Sequence, residues 1–383
     1  MSYKHTLIGC YAGYVVQAIV NNLAPLLFVT FNREFGLSLG LIGVLVVINF
    51  VIQMTVDLLA AAVSDKLNYR AMMILAHGFV IAGLVSLSAL PKAIPPFAGL
   101  LIATFLYAVG GGLLEVLVSP LLEALPLDNK AAAMSLLHSF YCWGHVAVVL
   151  LSTLFFVVIG VENWRLLPLL WTIVPLLNLI LFTKAPIVSL EDTAPSMPRR
   201  QLFQRKEFWL FMIIMVCAGA SEQGMSQWAS AFAETGLKVS KIIGDLLGPC
   251  FFAILMGSSR AYYGRKGEKI NLTGFMTLCG VVCALAYFIA ALSPISFISL
   301  LGCGLCGLSV GIMWPGTFST AAQTLPSGGT AMFALLALAG DIGCACGPAL
   351  VGLAGNIRTG MLFGAAFPIL LIVMLGIMKK GRC

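Results

Sequence analysis

Glu115 is the residue whose type and place most clearly suggest chemistry. It follows Gly110-Gly111-Gly112 by one turn, inside an apolar run that continues to Ser119-Pro120. Charged carboxylates are expensive in hydrocarbon, and those found there mark ion, proton or substrate pathways. A carboxyl that gains and loses its charge in such a place can carry a proton; one bonded permanently to a neighbour only fixes packing. Glu123, near the end of the same run, suits a gate in which it pairs with Arg70 or Lys66. In the first apolar run Tyr14, Gln17, Asn21 and Asn22 recur near helical spacing and form one polar stripe. Asn49, Gln53 and Asp57 share a face of the second. Such stripes contact a polar solute or hydrogen-bond between helices. Asp57 is two turns from Asp65, which points to the gate rather than to solute. His138, Tyr141 and His145 also share a helical face. No third ligand stands near the two histidines, so the face is read as lining a wet cavity, with no metal.

The second half of the chain carries its own polar interruptions. Glu222, Gln223, Ser226 and Gln227-Trp228 interrupt one apolar run, Trp314-Pro315 breaks another, and Asp341 sits well inside a third. Rings beside amides and carboxylates suit sugars and similar solutes, because rings stack on apolar faces and amides bond hydroxyls. The substrate-facing set is therefore Tyr14, Gln17, Asn21, Asn22, Glu115, His138, Tyr141, His145, Gln223, Gln227 and Trp314. The proton set is Glu115, His138, Glu222 and Asp341, and the gate set Asp57, Asp65, Lys66, Arg70 and Glu123. Trp164 and Trp171 read as interfacial tryptophans without a function.

These residues need a scaffold, and composition supplies it. Of 383 residues, 60% are hydrophobic and only 10% are charged, whereas an ordinary soluble domain is about a quarter charged. That excludes soluble globular and disordered classes. Long unbroken runs, unlike the short alternating segments of a β-barrel, call for helices. At about 20 residues per crossing, twelve spans use roughly 240 residues and leave no room for a soluble domain. Breaking the runs at Pro, Gly and charges gives spans near 6–30, 40–63, 71–90, 96–120, 132–159, 163–183, 208–232, 238–262, 270–291, 295–322, 330–354 and 358–378. No Ser-His-Asp order, His-Glu-x-x-His or Walker loop occurs, so enzyme chemistry is not expected. Neither a cofactor nor nucleic acid is implied. Cys303-Gly-Leu-Cys306 has metal-like spacing but lies in an apolar helix without further ligands, and is read as buried packing.

The one long polar segment, 184–206, reads as a cytoplasmic linker between six-helix halves at 1–183 and 207–383. With both termini inside, most of the 22 Lys and Arg, Arg260 among them, fall on the cytoplasmic side. Outside remain Arg33, Lys92, Arg165, Lys238, Lys241 and Arg358. A cysteine placed in 184–206 is expected to escape an impermeant reagent applied to intact cells, and its labelling from outside would overturn this topology.

Asp65-Lys66-Leu-Asn-Tyr-Arg70 after the second span is echoed by Gly264-Arg265-Lys266-Gly-Glu-Lys269 after the eighth. A six-plus-six chain with such turns resembles the major facilitator superfamily, whose loop signature is matched by Asp65, Lys66 and Arg70, with Ala61 and Asn68 in place of its glycines. The likeness is to the fucose permease branch. It rests on Asn21-Asn22-Leu23, Gly112-Leu-Leu-Glu115 with Ser119-Pro120, His138-Ser-Phe-Tyr-Cys-Trp-Gly144, Trp314-Pro-Gly-Thr-Phe-Ser319, and Ala339-Gly-Asp-Ile-Gly343 with Gly347-Pro348. The resemblance implies two bundles about a central cavity and proton-coupled sugar uptake through the plasma membrane by a monomer. It also implies that Glu115 takes part in coupling and binding, and that His138 and Tyr141 stand where that branch has sugar-binding amides. That branch has Asn-Asp after Asn-Asn-Leu, the aspartate being its other titrating group. Ala24-Pro25 stands here instead, so Glu115 needs another partner among His138, His145, Glu222 and Asp341. The alternative is a proton-driven exporter of drugs or metabolites with the same fold; the Gly-Pro signature such exporters carry in span five is absent.

Overall fold

In hydrocarbon a backbone must bond to itself, and a helix does so within one segment. The computed structural model describes residues 2–63, 68–127, 130–187, 199–266, 271–325 and 328–380, and these are helical with short connections. They include twelve segments long and apolar enough to cross a membrane. The chain divides into two units, Met1–Glu191 and Asp192–Cys383. The first holds α1 (Tyr3–Phe35), α2 (Leu39–Leu59), α3 (Tyr69–Ala93), α4 (Pro96–Glu123), α5 (Leu136–Ile159) and α6 (Leu166–Lys184). The second holds α7 (Lys206–Ser226), α8 (Lys241–Tyr263), α9 (Leu272–Leu292), α10 (Ser296–Thr324), α11 (Met332–Leu353) and α12 (Ile357–Lys379).

Local sequence explains where these segments start and break. Asn68, Asn271 and Asn356 cap α3, α9 and α12, each side chain accepting from backbone N–H groups of the first turn. In α1 the helix ends at Asn22, a 3-10 turn covers Ala24–Leu27 around Pro25, and a second helix runs Phe28–Phe35. Proline lacks the N–H that a continuous helix needs there. In α10 the helix stops at Val310 and restarts at Met313, just ahead of Pro315, as the Trp314-Pro315 pair predicts. The seventh span is shorter than the expected 208–232: its helix ends at Ser226, and a π-turn follows at Phe232–Gly236. The Trp228 indole N–H donates to the Pro348 carbonyl on α11 at 2.9 Å, anchoring the chain where the helix stops.

Lipid gives apolar faces no reason to associate, so small residues that admit close backbones hold membrane helices together. A Cβ at Gly343 would stand 2.0 Å from the Val216 carbonyl oxygen, so α11 lies flush on α7. The two tryptophans read as interfacial are buried within unit 1. Trp164 Nε1 donates to the Glu34 carboxylate at 2.6 Å, and its ring meets Phe31 at 5.3 Å. Trp171 Nε1 donates to Ser152 at 3.1 Å. Each indole N–H finds an acceptor within the bundle.

Candidate functional site

Three glycines position the carboxyl of α4. Successive helical residues point about 100° apart, so Gly110, Gly111 and Gly112 face three different neighbours. A Cβ at Gly110 would be 2.5 Å from the Ala76 carbonyl oxygen on α3. One at Gly111 would be 2.9 Å from Val20 Cγ1 on α1, and one at Gly112 3.0 Å from the Gln53 Cα on α2. Glu115, one turn on and half-buried, is thereby held against α1 and α2. Gly110→Ala is expected to lower the thermal midpoint, because overpacking a filled contact costs about 1–3 kcal/mol. Gly78→Ala, at a glycine with open space around it, is the matched control and is expected to hold or raise the midpoint.

Around that carboxyl unit 1 builds one polar network. Gln17 Nε2 donates to Glu115 Oε2 at 3.2 Å and to Gln53 Oε1 at 2.7 Å. Gln53 Nε2 donates to Asn21 Oδ1 at 2.9 Å, and Asn49 Nδ2 donates to the same oxygen at 3.1 Å. Every amide of this network is buried. Gln17 Oε1 and Asn49 Oδ1 are buried acceptors with no protein donor among the described residues. The stripes on α1 and α2 read from sequence thus meet. Asp57 brings a carboxylate oxygen within 4.8 Å of one of Glu115. Asp57, expected at the gate, shares this neighbourhood because Gly112 draws α4 onto α2 at Gln53–Val56.

The rest of the unit-1 set divides. Tyr14 shares a hydrogen bond with Ser119 at 3.0 Å, and its ring meets the exposed His138 edge-on at 5.3 Å. Asn22 is buried and donates to Tyr141 at 3.5 Å. His145 is 2% exposed and belongs to the packing rather than to a wet wall: Gly144 beside it brings α5 so close to α1 that a Cβ there would lie 2.9 Å from Ala18 Cβ. Of the expected gate, Asp65 and Lys66 lie outside the described residues. Arg70 donates at 2.9 Å to the carbonyls of Phe182 and Thr183, the last turn of α6. Glu123 is exposed, and no ion pair joins it to Arg70 among the described residues. The guanidinium is spent on helix-end carbonyls that have no other donor in their own helix.

Unit 2 holds a second buried centre. Glu222 Oε2 accepts from Arg260 Nη2 of α8 at 3.0 Å, the side chains being 9% and 17% exposed. Gln223 Nε2 donates to Glu222 Oε1 at 3.4 Å, and Gln227 Nε2 to Gln223 Oε1 at 3.0 Å. Asp341 is buried on α11. The Trp314 ring covers its neighbour Gly340 so closely that a Cβ there would be 2.1 Å from Cη2. Two basic residues that the charge tally counts toward the two sides of the membrane turn inward to acids of unit 2. Arg260 is one; the other, Lys241, pairs with Asp245 at 3.1 Å and Glu234 at 3.4 Å. Their long apolar stems let the charged ends reach inward to buried partners.

Comparison with known proteins agrees with this architecture. The family model of the Major Facilitator Superfamily matches residues 10–348. No curated protein matches the sequence. Among solved structures, the E. coli Fucose:proton symporter FucP superposes with a TM-score of 0.67 at 16% identity, covering 98% of this chain and 99% of that one. A D-xylose-proton symporter gives 0.77 at 13% identity, covering 98% and 97%. The nucleoside transporter NupG gives 0.78 at 13% identity, covering 98% of both chains.

Proposed function

The chain belongs to the Major Facilitator Superfamily, and we propose that this transporter carries a small polyhydroxylated solute, of the sugar class, together with a proton. The proposed cycle is alternating access in the plasma membrane, with both termini in the cytoplasm. Membership makes the chain a multi-pass membrane transporter and not an enzyme. The unit-1 network carries the reading. Gln17 Oε1 and Asn49 Oδ1 are buried acceptors without protein donors among the described residues, and unmet buried acceptors are costly. Hydroxyls of a solute supply the donors they lack. Tyr14, Tyr141 and His138 add aromatic faces on the same unit; unit 2, taken by itself, carries amides at Gln223 and Gln227 and a ring at Trp314. The names fucose, D-xylose and nucleoside on the structural neighbours support the same solute class, since each contains a sugar ring.

Glu115 is proposed as the proton carrier with Asp57 as its acidic neighbour, the part that the resemblance left open. Two carboxylates within 4.8 Å repel when both are charged, and one shared proton relieves the repulsion. Glu222 already faces a fixed counter-charge on Arg260, so its proposed task is to order α7 against α8.

The test is a thermal-shift screen of the purified chain against sugars, nucleosides, organic acids and lipophilic cations. A ligand at about a hundred times its Kd stabilises by roughly 2.7 kcal/mol. Sugars or nucleosides are expected to raise the midpoint; a response confined to lipophilic cations would transfer the chain to the exporter class.

A further inference from the structure

Four cysteines, Cys279 and Cys283 on α9 and Cys303 and Cys306 on α10, are buried in unit 2. The Cys-x-x-Cys spacing would pair Cys303 with Cys306. The structure instead brings Cys306 Sγ to 3.8 Å from Cys283 Sγ, across two helices, with both residues at 0% exposure. The helices meet there because Gly302 admits backbone contact: a Cβ at that position would stand 2.8 Å from the Ala286 carbonyl oxygen. Cys306 Sγ also points to the Ser221 carbonyl of α7 at 3.8 Å, an oxygen that accepts from Tyr287 at 2.8 Å. Ser221 immediately precedes the ion-paired Glu222.

A sulfur separation of 3.8 Å is far beyond a disulfide bond of about 2.05 Å. It is a van der Waals contact, close enough that a small closure of the two helices lets one soft atom bond to both sulfurs. We propose that Cys283 and Cys306 form an intramembrane dithiol that chelates one neutral trivalent arsenical. Thiolate sulfur prefers soft centres over hard ones. A lipid-soluble neutral reagent also reaches thiols that a hydrated ion must shed its water to meet. The step is a condensation. Two S–H bonds break, two As–S bonds form, and both protons leave with the oxo oxygen of the reagent as water; arsenic stays trivalent and nothing is oxidised. Chelation ties α9 to α10 and takes the Cys306 donor from the Ser221 carbonyl, beside the Glu222–Arg260 pair.

The probe is phenylarsine oxide on the purified full-length chain, read by intact mass. The expected result is a phenylarsenic adduct that survives excess monothiol and is lost with a small dithiol. Adducts on single exposed thiols such as Cys346 are expected to be lost with monothiol alone. Cys283→Ser, Cys306→Ser and Cys306→Ala are each expected to lose the monothiol-resistant adduct, while Cys303→Ser and Cys279→Ser keep it. Absence of a resistant adduct in the parent chain overturns the proposal. So does its persistence in Cys283→Ser, or its loss in Cys303→Ser, which would assign the chelate to one turn of α10.

Discussion

Glu115→Gln is expected to abolish solute accumulation driven by a pH gradient while leaving exchange between two solute pools intact. Gln keeps the shape of a protonated Glu and its capacity to bond Gln17, so the amide network around it survives. What it loses is a proton to release. With one proton per cycle, each pH unit is worth about 1.4 kcal/mol, or tenfold, so a two-unit gradient supports roughly 100-fold accumulation in the parent chain. The variant is expected to equilibrate at no accumulation. The measurement is uptake into proteoliposomes, with and without an imposed gradient, of the solute found in the thermal screen; counterflow without a gradient checks that binding and turnover persist. If the variant still concentrates solute on a pH gradient, the proton travels elsewhere, and Asp341 becomes the next residue to test.

Removing one side of the Glu222–Arg260 pair is expected to be strongly destabilising to unit 2. Both side chains are largely buried, at 9% and 17% exposure. Leaving one charge there without its partner costs about 3–5 kcal/mol, whereas replacing both by uncharged groups of similar size is often close to neutral. Glu222→Gln and Arg260→Met are each expected to drop the thermal midpoint sharply, and the double variant to recover most of the loss. A double-mutant cycle reads the coupling directly. Additive losses, with the double variant worse than either single, would show that each residue is held by something other than the pair.

Much of this molecule is legible in its sequence because hydrocarbon imposes simple rules. Apolar run length sets the spans, Pro315 marks the break in α10, and Glu115 is conspicuous in an apolar run beside three glycines. The harder matters depended on which helix faces which. Nothing along α2 says that Asp57 lies beside Glu115. That follows from Gly112, whose missing side chain acts on a helix about 60 positions away in the sequence. For Arg260 and Lys241 the charge tally gives only a side of the membrane, and it does not show that each reaches a buried acid. For His145 the period shows which residues share a face, not what covers that face.

The three glycines of α4 have a mechanical consequence. They press on three separate helices in directions about 100° apart, like flats cut on a shaft. Turning α4 by one residue would swing Val109 or Leu113 into a backbone that only hydrogen leaves room for. The helix can tilt or travel with its neighbours, but it is keyed against spinning. Through whatever motion unit 1 makes, Glu115 keeps its bearing toward α1 and α2. Changes in what the carboxyl meets come from groups that arrive and depart, while the carboxyl itself serves as the fixed post.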